Sequence, residues 1–250
     1  MRTESALLRL LATPILGSVL LLAGCGQHDV EFDTWLPLEA GWHWEYQRTD
    51  ALDGKRKVSR FVIDNLERRQ IEELGEEYAN QEVTVRRTSD GTDYYLYADQ
   101  TGLYRAGTRN LIEYNPRADV EPRLVIPAAD ELDGGITWNQ PSRPYMIHST
   151  KSHLGWNSAG MNLNLAWEVA GRGETITVAA GTFENCLRLE GRGTVGLYAD
   201  PRTGYQEVPV LQTEWYAPGV GLIRLVRSEP LEMELFRGGE VSFELVSYHR

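Results

Sequence analysis

Two cysteines in 250 residues leave no material for a disulfide framework, so a small domain held together by disulfides is excluded. Histidine is equally sparse. His28, His43 and His249 are scattered, and His148 and His153 lie five apart, a spacing that suits neither one strand face nor one helical turn. No metal site is therefore expected. The chain also lacks a Gly-x-Ser-x-Gly elbow, a phosphate-cradling glycine loop, a His-Glu-x-x-His pair and a Cys-x-x-Cys pair. No catalytic residue and no cofactor are assigned on that basis. Positive charge is short too: 25 basic residues against 36 acidic ones give a net charge of −11, which disfavours nucleic acid and anionic lipid surfaces as partners. Finally, no apolar run reaches the ~20 residues a spanning helix needs.

The longest apolar run, Leu10 to Leu22, is 13 residues, interrupted by Thr13, Pro14, Gly17 and Ser18 and preceded by Arg2 and Arg9. That is the build of a secretory leader. It ends in Leu22-Ala23-Gly24-Cys25, which resembles a bacterial lipobox. The resemblance implies cleavage before Cys25, a diacylglyceryl thioether on its sulfur and an acylated, palmitate-type amino terminus. One chain holds a protein marginally at about 0.8 kcal/mol per buried methylene, and two or three hold it stably. The alternative is an ordinary leader that releases a soluble protein. Gly26 follows the cysteine; an Asp there would mark inner-membrane retention in enteric lipoproteins, so the resemblance implies an outer-membrane anchor facing the periplasm. The chain then divides into a signal peptide (1–24), a lipidated cysteine with its tether (25–34) and a single antiparallel β domain (35–250). Loss of Arg2, Arg9 and Glu4 leaves 23 basic and 35 acidic residues, a net charge of −12. The nine tether residues Gly26 to Thr34 reach at most about 30 Å.

The body reads as strands. Trp42, Trp44 and Tyr46 alternate with His43, Glu45 and Gln47, the mark of a half-buried strand with an aromatic inner face. Asp53-Gly54 predicts a hairpin, with the basic cluster Lys55, Arg56, Lys57 and Arg60 on its solvated tip. Leu66 to Leu74, rich in Glu and Arg, is the one helical candidate in the first half. Turns at Ser89 to Thr92 and Asp99 to Gly102 predict a meander, and Pro116, Pro122 and Pro127 predict a crossing loop with one short edge strand from Asn115 to Gly135. The polar insert Ser152 to Gly160 has no assigned role. Leu163, Leu165, Trp167 and Val169 then alternate again.

The second half carries the most specific pattern: Val178-Ala179-Ala180-Gly181-Thr182-Phe183 with Asn185-Cys186, then Trp215-Tyr216-Ala217-Pro218-Gly219-Val220-Gly221. Together with Leu124-Val125-Ile126-Pro127 and Gly135-Ile136-Thr137-Trp138, it resembles a family of bacterial envelope proteins, some of them lipoproteins, built on a domain of unknown function. The resemblance implies an all-β fold, a large antiparallel curved sheet or open half-barrel, distantly like the half-barrels that carry lipoproteins across the periplasm. It implies no known activity. Strand alternation places Cys186 outward with Glu184 and Arg188, but a bulge near Gly181 would turn it into the core as an inert thiol.

Two functional classes follow. In the first, a non-enzymatic outer-membrane lipoprotein binds a hydrophobic ligand or an envelope protein through its concave face or a strand edge. In the second, acidic residues act on envelope polysaccharide or peptidoglycan. Carboxylates clustered beside aromatic platforms would favour the enzyme; an apolar groove would favour the binder. The tryptophans Trp42, Trp44, Trp138, Trp167 and Trp215 are expected to be core rather than sugar platforms. The lipobox makes the first prediction: Cys25→Ser abolishes acylation and moves the protein out of the detergent phase in Triton X-114. Wild-type partitioning of the variant would defeat the anchor.

Overall fold

The computed structural model describes residues 35–133, 135–150, 162–200, 202 and 204–250. The leader, Cys25, the tether, His153 and the Ser152 to Gly160 insert lie outside the described residues. Thirteen strands occur among the described residues: β1 (His43–Leu52), β2 (Lys55–Gln70), β3 (Glu82–Thr88), β4 (Asp93–Asp99), β5 (Gly102–Arg109), β6 (Arg117–Pro127), β7 (Thr137–Ser142), β8 (His148–Ser149), β9 (Leu163–Val178), β10 (Gly181–Asp200), β11 (Gly204–Ala217), β12 (Gly221–Glu232) and β13 (Phe236–His249). They form one antiparallel sheet in the order β6-β5-β4-β3-β2-β1-β13-β12-β11-β10-β9-β7, with β8 paired to β13. Most neighbours are consecutive hairpins, and β1 pairs with β13, so the first strand lies beside the last.

Local chemistry fixes the turns. Asp53 and Gly54 both have positive φ, 51° and 70°, which is the backbone a two-residue hairpin turn needs. Leu52 consequently pairs with Lys55 and the whole of β1 registers on β2. At the other extreme of the sheet, prolines set the edges. Pro122 and Pro127 lie in β6, and Pro141 lies in β7. A proline has no N–H to give a ladder, so such strands belong at edges. The sheet curls until these two edges meet, and side chains join them: Gln140 Nε2 donates to the Leu124 carbonyl, and Arg123 Nη1 to the Pro141 carbonyl at 2.7 Å. The result is a barrel that is nearly closed, with a seam.

Two sequence expectations need correction. Leu66 to Leu74 is not helical: β2 continues to Gln70 because Glu67, Arg68, Arg69 and Gln70 pair with Val85, Thr84, Val83 and Glu82. Ladder pairing here overrides local propensity. Two 3-10 turns follow, at Glu72–Leu74 and Glu76–Tyr78, separated by Gly75 at φ 112°. They lay Ile71, Leu74 and Tyr78 over Val83, Val85, Tyr95 and Ala106 on the outer face of the meander. The stretch expected as a loop with one short edge strand contains instead the eleven-residue β6. Its prolines mark an edge without shortening it.

The inner face carries the larger core, in which Leu103, Ile126, Leu187 and Leu189 are fully buried. Trp138 and Trp167 are cross-strand partners stacked at 6.3 Å. Trp167 lies flat on β10 because Gly191 faces it: a Cβ at Gly191 would stand 2.6 Å from the indole. Leu36 and Leu38, in the segment just before β1, join the same core, and the segment is held by side chains: the Asn65 amide donates to the Pro37 and Glu39 carbonyls and the Thr84 hydroxyl to the Leu38 carbonyl.

Cys186 is buried as expected, and the device is visible. Asn185 has φ 57°, and the β9–β10 register shifts between Phe183 and Cys186. The bulge turns the sulfur inward beside Trp44, Ile223 and Leu245, where Sγ donates to the Phe183 carbonyl. The adjoining hairpin tip docks on β13 through Ala180 N–H to the Leu245 carbonyl at 3.0 Å. Burial pushes the Cys186 thiol pKa up, so little thiolate forms. We expect Cys186→Ala to cost on the order of 1 kcal/mol in urea unfolding and native Cys186 to resist maleimide. Labelling as fast as that of the unfolded chain would contradict this packing.

Candidate functional site

Two polar arrangements lie on the concave face, and they differ in how their charges are met. The first is a closed network on β11 and β12. Arg227 and Glu229 are both fully buried, two residues apart on β12 and thus on one face, with Nε to Oε1 at 2.6 Å. Arg227 also donates to Gln212 Oε1 at 2.8 Å and to the Arg143 carbonyl, and stands 3.9 Å over the Tyr145 ring. Glu229 accepts from the backbone N–H groups of Tyr145, Met146 and Ile147. Every role in this pair is filled, and together the two residues clamp the segment after β7 onto β12. From Gln212 the chain continues: its amide donates to Glu214 Oε1, and the Tyr216 hydroxyl donates to Glu214 Oε2, each at 2.5 Å.

The second arrangement surrounds a cavity of about 230 Å3 whose walls come from β1 through β6 and from β11 and β12. Leu36, Ile63, Leu96, Val125 and Leu222 supply apolar surface; Trp44, Tyr46, Tyr94 and Tyr216 supply rings; Arg86 and Arg105 are the charged residues of the wall. Alternation along β3 puts Arg86 here: Val83 and Val85 face outward under the 3-10 turns, while Thr84, Arg86 and Thr88 face in.

The two arginines are not equivalent. Arg105 is neutralised by a fork onto Asp119, with bonds of 2.7 and 3.0 Å. Arg86 is 8% exposed, donates from Nε to Asn65 Oδ1 at 2.8 Å and from Nη2 to the Pro37 carbonyl at 2.9 Å, and lies 4.7 Å over Trp44. Among the described residues no carboxylate pairs with it, and Nη1 has no acceptor. Burial draws its pKa down to about 10, partly offset by Tyr46 and Tyr216. Tyr94 is its cross-strand partner, but the Tyr94 ring lies against the Arg105 guanidinium at 5.7 Å whereas the Arg86 guanidinium lies over Trp44. The Tyr94 hydroxyl also has no hydrogen-bond partner among the described residues. Burial pushes its pKa up to about 12, which keeps it a neutral donor.

The residues singled out in the sequence distribute unevenly. Trp44, Trp138 and Trp167 are buried in cores, and Trp42 and Trp215 are half-buried, Trp42 stacked on Trp44 at 5.4 Å. His148 sits on β8, away from the cavity wall. No cluster of three or more metal-ligating side chains occurs among the described residues. The site residues that sequence reasoning missed are Arg86, Tyr94 and Glu214. The available signal was an arginine and two threonines alternating with valines in Val83 to Thr88, a polar inner face on a strand whose outer face is apolar.

No protein-family model and no curated protein matches the sequence. Two solved structures are similar over most of the chain. One, from Bacteroides fragilis NCTC 9343, is described as a candidate exported protein with a YmcC-like fold; it is 12% identical and matches at a TM-score of 0.37, covering 87% of this chain and 99% of its own. The other, from Parabacteroides distasonis ATCC 8503, is described as a candidate lipoprotein; it is 13% identical at a TM-score of 0.37, covering 86% of this chain and 99% of its own.

Glu214 makes the site's pH behaviour testable. Burial pushes its carboxyl pKa above the ordinary value, against the lowering by Tyr216, Gln212 and Arg227. The folded state therefore keeps this proton after the unfolded chain has lost it. Its contribution to stability is complete below the unfolded pKa and is lost as pH rises through the folded one. Urea unfolding from about pH 4 to 8 should show wild type losing stability relative to Glu214→Gln as pH rises. A pH-independent difference would refute the assignment.

Proposed function

We propose that this chain is a non-enzymatic envelope lipoprotein, anchored in the outer membrane through acyl chains on Cys25, whose nearly closed barrel binds a hydrophobic ligand. The observation that carries the binding half is the cavity itself: mainly apolar and aromatic, on the concave face, with no carboxylate in its wall. The anchoring half rests on the lipobox and on Gly26. A carboxylate-dependent hydrolase needs two carboxyl groups facing a substrate. The half-buried Glu214 and the buried Glu229 are instead each held by donors from this chain, within a network that fastens strands. The seam offers a second kind of contact, since β6 and β7 present edges without a ladder between them, and an envelope partner could add a strand there.

Detergent-solubilised full-length protein, examined by native mass spectrometry, should carry a co-purifying lipid-like adduct. The neutral probe N-phenyl-1-naphthylamine should bind with enhanced fluorescence, and Leu96→Trp, which fills the cavity, should abolish that signal while circular dichroism stays strand-dominated. Absence of both adduct and probe binding, or release of sugars from envelope polysaccharide or peptidoglycan, would overturn the reading.

A further inference from the structure

The proposed binding of a hydrophobic ligand leaves its chemical class open, and the cavity wall narrows it. A guanidinium taken out of water without a counter-charge is among the most unfavourable groups a protein can bury. Arg227 meets that demand with Glu229, and Arg105 with Asp119. Arg86 is as buried as a core residue and meets it with one amide oxygen, one carbonyl and the face of Trp44. Nη1 remains without an acceptor among the described residues, on a side chain that lines the cavity. A cation without a counter-charge, in the wall of a cavity that Leu96, Val125 and Leu222 also line, is complementary to a molecule with an anionic head and an apolar tail.

We infer that the ligand is a single-chain anionic amphiphile whose carboxylate or phosphate monoester head is received by Arg86, with its hydrocarbon end in the apolar part of the cavity. A cavity of about 230 Å3 lies below the ~300–1,000 Å3 that encloses a drug-sized molecule, so a double-chain phospholipid does not fit within it. This inference rests on the reading of the cavity as a hydrophobic-ligand site. It adds the charge, which a purely structural Arg86, present only to hold the Pro37 carbonyl, would not require.

The test compares octanoate, octyl phosphate and octanol, which share a tail and differ in the head. Binding is measured by equilibrium dialysis against the full-length lipidated protein in nanodiscs, with empty nanodiscs subtracted. Octanoate or octyl phosphate should bind at least about tenfold tighter than octanol, as a charge-assisted hydrogen bond in a dry site implies. Which of the two is stronger assigns the head as carboxylate or phosphate. Arg86→Met should erase the preference while octanol still binds. Should Arg86→Met fail to fold, the pH profile on wild type replaces it: octanoate's advantage over octanol must vanish as pH falls below the carboxylate range of about 4. Equal binding of octanol and both anions would overturn the head-group assignment while leaving the hydrophobic site standing. Failure of all three to bind would overturn the site itself.

Discussion

A single sheet that buries one face must find something to bury it against, and here it can find only itself. The edges that meet when it curls are not stitched by a ladder: β6 carries Pro122 and Pro127, β7 carries Pro141, and the two strands do not pair. Closure is therefore delegated to side chains and to folded-back segments. Gln140 and Arg123 bridge the seam to carbonyls of the opposite strand. Arg227 and Glu229 gather the backbone from Ser142 to Ile147 onto β12. Leu36 and Leu38 enter the core from the segment before β1, and the β9–β10 tip folds onto β13. The architecture follows from that constraint, and so does the space left inside. A barrel closed by a complete ladder is drawn tight by its hydrogen bonds; one closed by side chains keeps the width that those side chains allow.

The concave face shows two treatments of buried charge. At Arg227 every donor that the geometry brings into play has a protein acceptor, and Glu229 takes three backbone N–H groups. Removing either partner would strand the other in a dry site, which typically costs about 3–5 kcal/mol. The pair is structural in that sense. Arg86 is satisfied on the side facing Asn65 and Pro37 and unsatisfied on the side facing the cavity. Because Asn65 also donates to the Pro37 and Glu39 carbonyls, the guanidinium is held in place by the segment that seals the end of the barrel. Its orientation is fixed by structure, whereas its free valence is directed at the cavity. That combination is what a preorganised anion receptor requires.

Much of the fold was legible because it depends on local chemistry. Asp53-Gly54 demanded a hairpin, Trp42 to Gln47 demanded a half-buried strand, and the Asn185-Cys186 bulge was foreshadowed by a cysteine whose alternation pointed the wrong way. The motifs that resemble an envelope family also find physical roles. Leu124 and Trp138 flank the seam, Cys186 fills the bulge, and the Pro218 to Val220 turn offers the Val220 carbonyl to Trp44 Nε1 at 2.7 Å. What was not legible depends on distance along the chain. Glu67 to Gln70 read as helical because composition is blind to a ladder formed with residues 12 to 18 positions on. Arg86 read as one more charged residue on an alternating strand, since nothing local reveals that its face looks onto Trp44, forty-two positions earlier, and onto Tyr216 on the far wall. The proposed site depends on that non-local juxtaposition.

The position of the cavity along the chain bears on how it could be filled. Leu36 lines it and stands just beyond the tether that ends at Thr34. If Cys25 carries the anchor, the nine intervening residues hold the start of the fold, and with it this wall of the cavity, within about 30 Å of the bilayer. A single-chain anionic amphiphile partitions into membranes and leaves them more readily than a two-chain lipid, since each buried methylene contributes about 0.8 kcal/mol to retention. An acidic protein surface would repel its head group in solution, and a recessed cation beneath that surface would offset the repulsion only at the point of binding. If the leader is removed, the remaining net charge of −12 and an Arg86 without a carboxylate partner would act together: exclusion of anionic surfaces at large, and admission of one anionic head at a site its tail alone can reach.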